Sequence, residues 1–205
     1  MKITRTVTRE PVPAGVFVAR CYKIIHFGTS YDNRMEKMIN KLRIDWELPT
    51  ETKVFDPEKG EQPQSISKDY TASFNEKSNL YKDLTSWLGD LSKHDEFELD
   101  QILGNECMVN IQHKISGAGN TYAYVASITP MPKGVQCPPP VNPQFVWDYE
   151  NHFDDGVLAN MHEFFREKIM SSLEYKAKLD PQDIPDAPMP KAEDEQQLLD
   201  NFDLQ

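Results

Sequence analysis

The chain is short of several things that would each have named a class of protein. It has three cysteines in 205 residues, Cys21, Cys107 and Cys137, with no CxxC or similar spacing. That excludes a thiolate zinc site and a disulfide framework, and the odd count suits a reducing compartment. No run of apolar residues approaches the roughly 18–20 needed to span a bilayer, and the start, MKITRTVTRE, has no apolar core of a secretory signal. The expectation is a soluble cytoplasmic protein with no membrane association. The five histidines show no i, i+4 pair and no HExxH, so no metal or other cofactor is expected. Glycine is also sparse, at nine residues, and the one local cluster, Gly117–Ala118–Gly119, joins two strand patterns without opening a helix, which excludes a phosphate-cradling loop.

Basic charge is short only in one place. Residues 1–137 carry 17 Lys+Arg and 18 Asp+Glu, a net of −1, whereas residues 138–205 carry 5 and 15, a net of −10. Residues 1–45 alone hold 9 basic and 4 acidic residues, a net of +5. The overall −11 therefore averages a basic front with an acidic end, and it does not by itself argue against a polyanionic ligand.

The patterning is mainly that of strands. Residues 12–28, VPAGVFVARCYKIIHFG, are rich in β-branched and aromatic side chains and bounded by turn residues. In KMINKLRIDWEL, Met38, Asn40, Leu42, Ile44, Trp46 and Leu48 alternate with Lys37, Ile39, Lys41, Arg43, Asp45 and Glu47. This predicts a half-buried strand with a wet, mainly basic second face, ended by Pro49. Residues 49–64 read as a polar loop and residues 65–74 as a third strand. Leu80, Leu84, Trp87 and Leu88 then recur at helical spacing, with Asn75 as the expected N-cap. A short apolar group, Phe97, Leu99, Ile102 and Leu103, ends at Gly104 as a C-cap, and two more strands follow around the Gly-rich hairpin turn.

Five strands with one helix between the third and fourth is the order of an OB-fold, a small partly open β-barrel, over residues 1–130. An α+β sandwich uses the same elements and is the alternative. Six prolines among residues 130–143 predict an extended Pro-rich connector over 131–147. Val157, Met161, Phe164, Phe165, Ile169 and Leu173 share one stripe of an amphipathic helix of about five turns within 148–179. Whether that helix packs on its own barrel or on a neighbouring subunit is left open by the sequence, as is homo-oligomerisation. Residues 180–205 carry eight acids and one lysine and read as a disordered acidic tail.

Such barrels bind single strands by pairing phosphates with cations while bases stack on aromatic rings. The candidates here are Arg20, Tyr22, Lys37, Lys41, Arg43, Lys68, Tyr70, Tyr122 and Tyr124, with Tyr31 and Arg34 in the first loop and Lys114 in the last hairpin. The competing reading makes Tyr70, Tyr122 and Tyr124 core residues and the lysines a merely solvated face. In the tail, carboxylates beside a phosphate-binding groove must weaken binding or compete for it. Leu198, Leu199, Phe202 and Leu204, interleaved with those acids, point to anchoring in a partner protein rather than to solubility alone. Asp45, Glu51 and Lys53 fit a Mg²⁺ nuclease poorly, since Asp45 and Glu51 are too close to come from two adjacent strands. No catalytic residue is assigned and the chain is read as non-enzymatic.

The strings VPAGVFVARCYKIIHFGT, KLRIDWELP, ISKDYTASFNEKSNLYKDLTSW, ILGNECMVNIQHK and TYAYVASITPMPKG resemble a group of phage and prophage proteins, the OB-fold single-stranded DNA-binding proteins of phage replication and recombination. The resemblance runs over about residues 10–135 and is visible again at HEFFREKIMSSLEY. It implies coating of single-stranded DNA without sequence preference, with the acidic tail recruiting replication or recombination enzymes. Tails of this kind end on a terminal Phe; here Phe202 is followed by Asp203, Leu204 and Gln205. The alternative function is an adaptor or DNA-mimic inhibitor without DNA affinity, acting through its acidic end.

Overall fold

A computed structural model describes residues 10–33 and 35–179. Arg34 and the tail, with Leu198, Leu199, Phe202 and Leu204, lie outside the described residues. The strands are β1 (Gly15–Asp32), β2 (Lys37–Asp56), β3 (Gly60–Thr71), β4 (Glu106–Ile115), β5 (Thr121–Thr129) and β6 (Phe145–Trp147). The helices are α1 (Asn79–Leu88), α2 (Asp155–Asn160), α3 (Glu163–Met170) and α4 (Leu173–Leu179), with a 3-10 turn at Leu99–Ile102. Five antiparallel strands run in the order β3-β2-β1-β4-β5, and β6 joins β1 in parallel off that path.

β1 is the spine. Its first six residues pair with β4, and residues from Arg20 to Asp32 pair with β2. Register shifts at Cys21/Lys23 and His26/Gly28 bend it, and such bulges increase local twist. The sheet therefore curls into a half-barrel whose end strands, β3 and β5, approach each other. Its concave side is filled by Ala19, Cys21, Leu42, Ile44, Trp46, Leu48, Val109, Ile111 and Ile128, capped by Leu80, Leu84 and Trp87 of α1. The face of β2 carrying Leu42 to Leu48 is the buried one, as its alternation requires.

Three expectations about local structure are corrected. Pro49 does not end β2: it falls in a register shift between Leu48 and Thr52, where the ladder needs no N–H from it, and pairing resumes at Thr52↔Pro63. The segment expected as a loop, 49–64, is thus largely a hairpin. The helix is capped by Ser78, whose Oγ accepts from the Tyr81 N–H at 3.0 Å, and not by Asn75, whose side chain accepts from the Lys77 N–H one turn earlier.

The single amphipathic helix of 148–179 is instead three short helices. Asp154 caps α2 by accepting from the Gly156 and Val157 N–H groups. His162 caps α3, accepting from the Phe164 N–H, and Ser172 Oγ accepts from the Tyr175 N–H at the head of α4. Capping side chains inside an apolar stripe offer the backbone an alternative to continuing, and here they interrupt it twice. The stripe splits accordingly: Met161, Phe165 and Ile169 pack inward, while Phe164 stays 46% exposed.

These helices form a second layer with its own core. Ile25 and Phe27, on the convex face of β1, meet Trp147, Tyr149, Leu158, Ile169 and Tyr175. The segment therefore packs on its own sheet, through α3 and α4 against β1. The Pro-rich stretch leads into β6, whose Phe145–Trp147 pairs with Lys23–Ile25. No helix among the described residues is long and apolar enough to cross a membrane.

Candidate nucleic-acid interface

The convex face of the sheet divides into a covered and an open half. On the covered half, the outward residues of β2 pass from half-buried at Lys37, Lys41 and Arg43 to buried at Asp45 and Glu47. Asp45 is 6% exposed beside Lys23, and Glu47 is 0% exposed beneath Val141 and Asn142 of the Pro-rich segment. This corrects the expectation of a solvated second face. The alternation was right, but one strand cannot reveal what packs on its far side.

Glu47 is the anchor of that cover. Its carboxylate accepts from the Asn142 backbone N–H and Nδ2, both at 2.9 Å, and more distantly from the Val141 N–H and Arg20 at 3.4 Å. Arg20 also donates to Glu106 at 2.8 Å and to the Pro138 carbonyl at 2.7 Å. A buried carboxylate is tolerable only with such a full set of donors. A second tie holds α4 to β1: Glu174 accepts from the Thr29 N–H and Oγ1, each at 2.6 Å. Gly28 permits it, with φ of +79° and no room for a side chain beside Glu174 and Ser172. No spacing in the sequence linked Glu47 to Asn142, 95 residues away.

The cations of the basic front are mostly committed to carboxylates. Lys41 pairs with Asp32, Arg43 with Asp69, and Lys68 with Asp83 at 2.6 Å. Lys37 lies half-buried opposite Asp32 in the β1–β2 register. Tyr70 is 4% exposed and belongs to the concave core; its hydroxyl donates to Asp83 at 2.7 Å. Burial, reinforced by the Asp83 charge, pushes the phenol well above its ordinary range. Tyr22 is half-buried at the first β1 bulge, and burial raises its phenol too. Tyr31 lies at the end of β1, 58% exposed.

On the open half the structure brings three of the sequence candidates together. Register pairs Gln112 with Tyr124 and Lys114 with Tyr122, so all four share the convex face of the β4–β5 hairpin, opposite Val109 and Ile111 in the core. The Lys114 ammonium stands 4.5 Å from the centre of the Tyr124 ring, and the Tyr124 hydroxyl donates to Gln112 at 2.7 Å. Tyr122 is 45% exposed, and Val16 on the adjoining part of β1 is 61% exposed. This is an aromatic surface with a cation beside it and polar groups at its edges. Such a surface can stack planar rings and neutralise an adjacent phosphate.

Sequence reasoning missed the contribution of α3. Lys168 and Phe164, one helical turn apart, meet Arg43 of β2 over the Phe27 ring. Their i, i+4 spacing was visible, but nothing in it indicated that β2 lies beneath.

Among the described residues no group of three His, Cys, Asp or Glu side chains is placed to hold a metal ion. No family model matches the chain, and a search of curated proteins finds no match to it.

Proposed function

We propose that the protein binds single-stranded nucleic acid without sequence preference, as a phage-type OB-fold protein of DNA replication and recombination. The carrying observation is the open convex face of the β4–β5 hairpin, where Tyr122, Tyr124 and Lys114 lie side by side. Stacking of a base on an exposed ring is worth about 1–3 kcal/mol and is indifferent to base identity, because every base has a π-face. The OB-fold assignment is supported by the position of α1 between the third and fourth strands, by the order β3-β2-β1-β4-β5 and by the approach of β3 to β5. The acidic tail acts as a competitor for the same surface and as a recruiting element for replication or recombination proteins.

The test is fluorescence anisotropy of a labelled oligo-dT of about 30 nucleotides against a duplex of equal length, at several salt concentrations. Full-length protein, a truncation ending at Leu179, and Tyr122→Ala/Tyr124→Ala are compared. The single strand should bind much more tightly than the duplex, with affinity falling steeply as salt rises. Truncation should strengthen binding, and the double variant should weaken it at least tenfold. An affinity unchanged in the double variant removes the hairpin from the interface.

A second reading draws on a different observation. Arg20, Lys41, Arg43 and Lys68 are each bonded to a carboxylate within the fold, which is how structural rather than ligand-binding cations are placed. Under it the chain is an interaction protein that works through its acidic end. Absence of binding to either oligonucleotide, with and without the tail, favours that reading.

A further inference from the structure

The cluster where α3 crosses β2 has more positive charge than its own carboxylates neutralise. Arg43 donates from Nε to Asp69 Oδ1, while Lys168 reaches the other oxygen of the same carboxylate only at 3.6 Å, longer than a hydrogen bond. Lys41, alongside, pairs with Asp32. With the neighbouring Lys23–Asp45 pair, whose carboxylate also feels Arg43, four cations meet three carboxylates. Lys168 is half-buried, and its ammonium is pushed below the ordinary lysine value by burial, with the Arg43 and Lys41 charges acting in the same direction and Asp69 offsetting only part.

The apolar part of the cluster is as specific as the charge. The Lys168 ammonium lies 4.6 Å from the centre of the Phe27 ring and 4.5 Å from that of Phe164. The Arg43 guanidinium lies 5.8 Å from each of the same two rings and 5.3 Å from Phe165. Phe27 is buried, but Phe164 is 46% exposed, on a stripe whose other members Phe165 and Ile169 pack inward. The sheet does not need Phe164 at that position for its core. A cation held half-buried at an electrostatic cost, beside an exposed ring, is relieved by an anion that brings an apolar or planar group with it.

We propose that Arg43, Lys168 and Phe164 form a second, phosphate-binding contact for a single strand, in which the two cations hold a phosphate and Phe164 receives the neighbouring sugar or base. The inference rests on the single-strand reading above and extends the interface from the open hairpin onto α3. A mononucleotide presents the same chemistry, so the source of the phosphate is decided by experiment.

Oligo-dT of about 30 nucleotides is titrated onto full-length protein carrying Lys168→Gln, Lys168→Arg or Phe164→Ala, at four salt concentrations. Each phosphate contact on a single strand contributes about 0.7 to the slope of log affinity against log salt. Lys168→Gln is expected to reduce that slope by about this amount, and Lys168→Arg to retain it. Phe164→Ala should weaken binding about fivefold or more with the slope unchanged. A merely structural role for Lys168 does not move the slope, and thermal melts of each variant identify any loss of fold.

Thymidine triphosphate is titrated calorimetrically in parallel. If Tyr122→Ala/Tyr124→Ala weakens oligo-dT binding while Lys168→Gln leaves slope and affinity intact, the α3 contact is refuted and the hairpin reading stands. If oligo-dT does not bind but the triphosphate does, and Lys168→Gln abolishes that binding, the phosphate site stands as a nucleotide site and the single-strand assignment falls. Binding of neither probe overturns both.

Discussion

Glu47 offers the sharpest test of how the two layers are joined. The side chain is fully buried and faces donors on every side: Arg20, the Val141 and Asn142 backbone N–H groups and Asn142 Nδ2. Glu47→Gln preserves size but replaces one acceptor oxygen by an NH₂ group that must point at another donor. Two charge-assisted hydrogen bonds are lost or weakened, each worth about 1.5–3 kcal/mol, and Arg20 keeps Glu106 as partial compensation. Removing one partner from a buried ionic cluster generally costs about 3–5 kcal/mol, and the retained pair places this variant near 3 kcal/mol. For a chain of this length that corresponds to a fall in Tm of about 6–12 °C. Urea unfolding followed by circular dichroism measures the loss. Limited trypsinolysis after Lys133 provides a local readout, because the segment that follows is the one Glu47 fastens. Stability within 1 kcal/mol of wild type, together with unchanged cleavage after Lys133, would refute the account of Glu47 as the tie.

Two further perturbations separate causes that one number would confuse. Gly28→Ala places a methyl 2.5 Å from Glu174 Oε2, 2.9 Å from Ser172 Cβ and 3.0 Å from Tyr149, and should cost about 2–4 kcal/mol by urea unfolding. Gly119→Ala, at nearly the same φ of +81° but with nothing within 4 Å, should cost only about 1–2 kcal/mol of backbone strain. Equal losses in the two would show that the α4–β1 contact contributes nothing. The carboxyl of Asp45 is raised above its ordinary value by burial, which outweighs the favourable Lys23 charge 2.7 Å away. Its folded state therefore holds a proton more tightly than the unfolded state, so this group's contribution to stability declines as pH rises from 3.8 through the raised value. The stability difference, wild type minus Asp45→Asn, should fall across that window in urea titrations; a flat or rising difference contradicts the assigned direction.

Much of the strand content was readable because period-two alternation survives whatever packs outside it. Leu42, Ile44, Trp46 and Leu48 line the concave core as their spacing requires. The helix over Leu80, Leu84 and Trp87 likewise followed from one apolar stripe. Element ends were harder, because they depend on single side chains making particular bonds. Ser78 rather than Asn75 caps α1, and Pro49 is absorbed by a bulge that local propensity does not encode. Of the cation candidates, Arg20 and Lys68 had the right composition for a ligand surface, yet in the fold they face Glu106 and Asp83. Among the described candidates, Lys114, Tyr122 and Tyr124 sit together on the open hairpin face, because hairpin register places alternate residues side by side.

By itself the sequence determined the five main strands, the helix between the third and fourth, the apolar face of β2 and the charge gradient, since these follow from short-range periodicity and composition. Only the tertiary structure decided which convex surface is open. A sheet has two faces, and the pattern of one strand states that one is apolar without stating what covers the other. Here Ile25 and Phe27 on β1 attract Trp147, Tyr149 and Ile169 from more than 100 residues away, while Glu47 and Thr29 tie the layer down. Burial of that second apolar set, a long-range and cooperative event, closes one half of the convex face and leaves the β4–β5 half exposed.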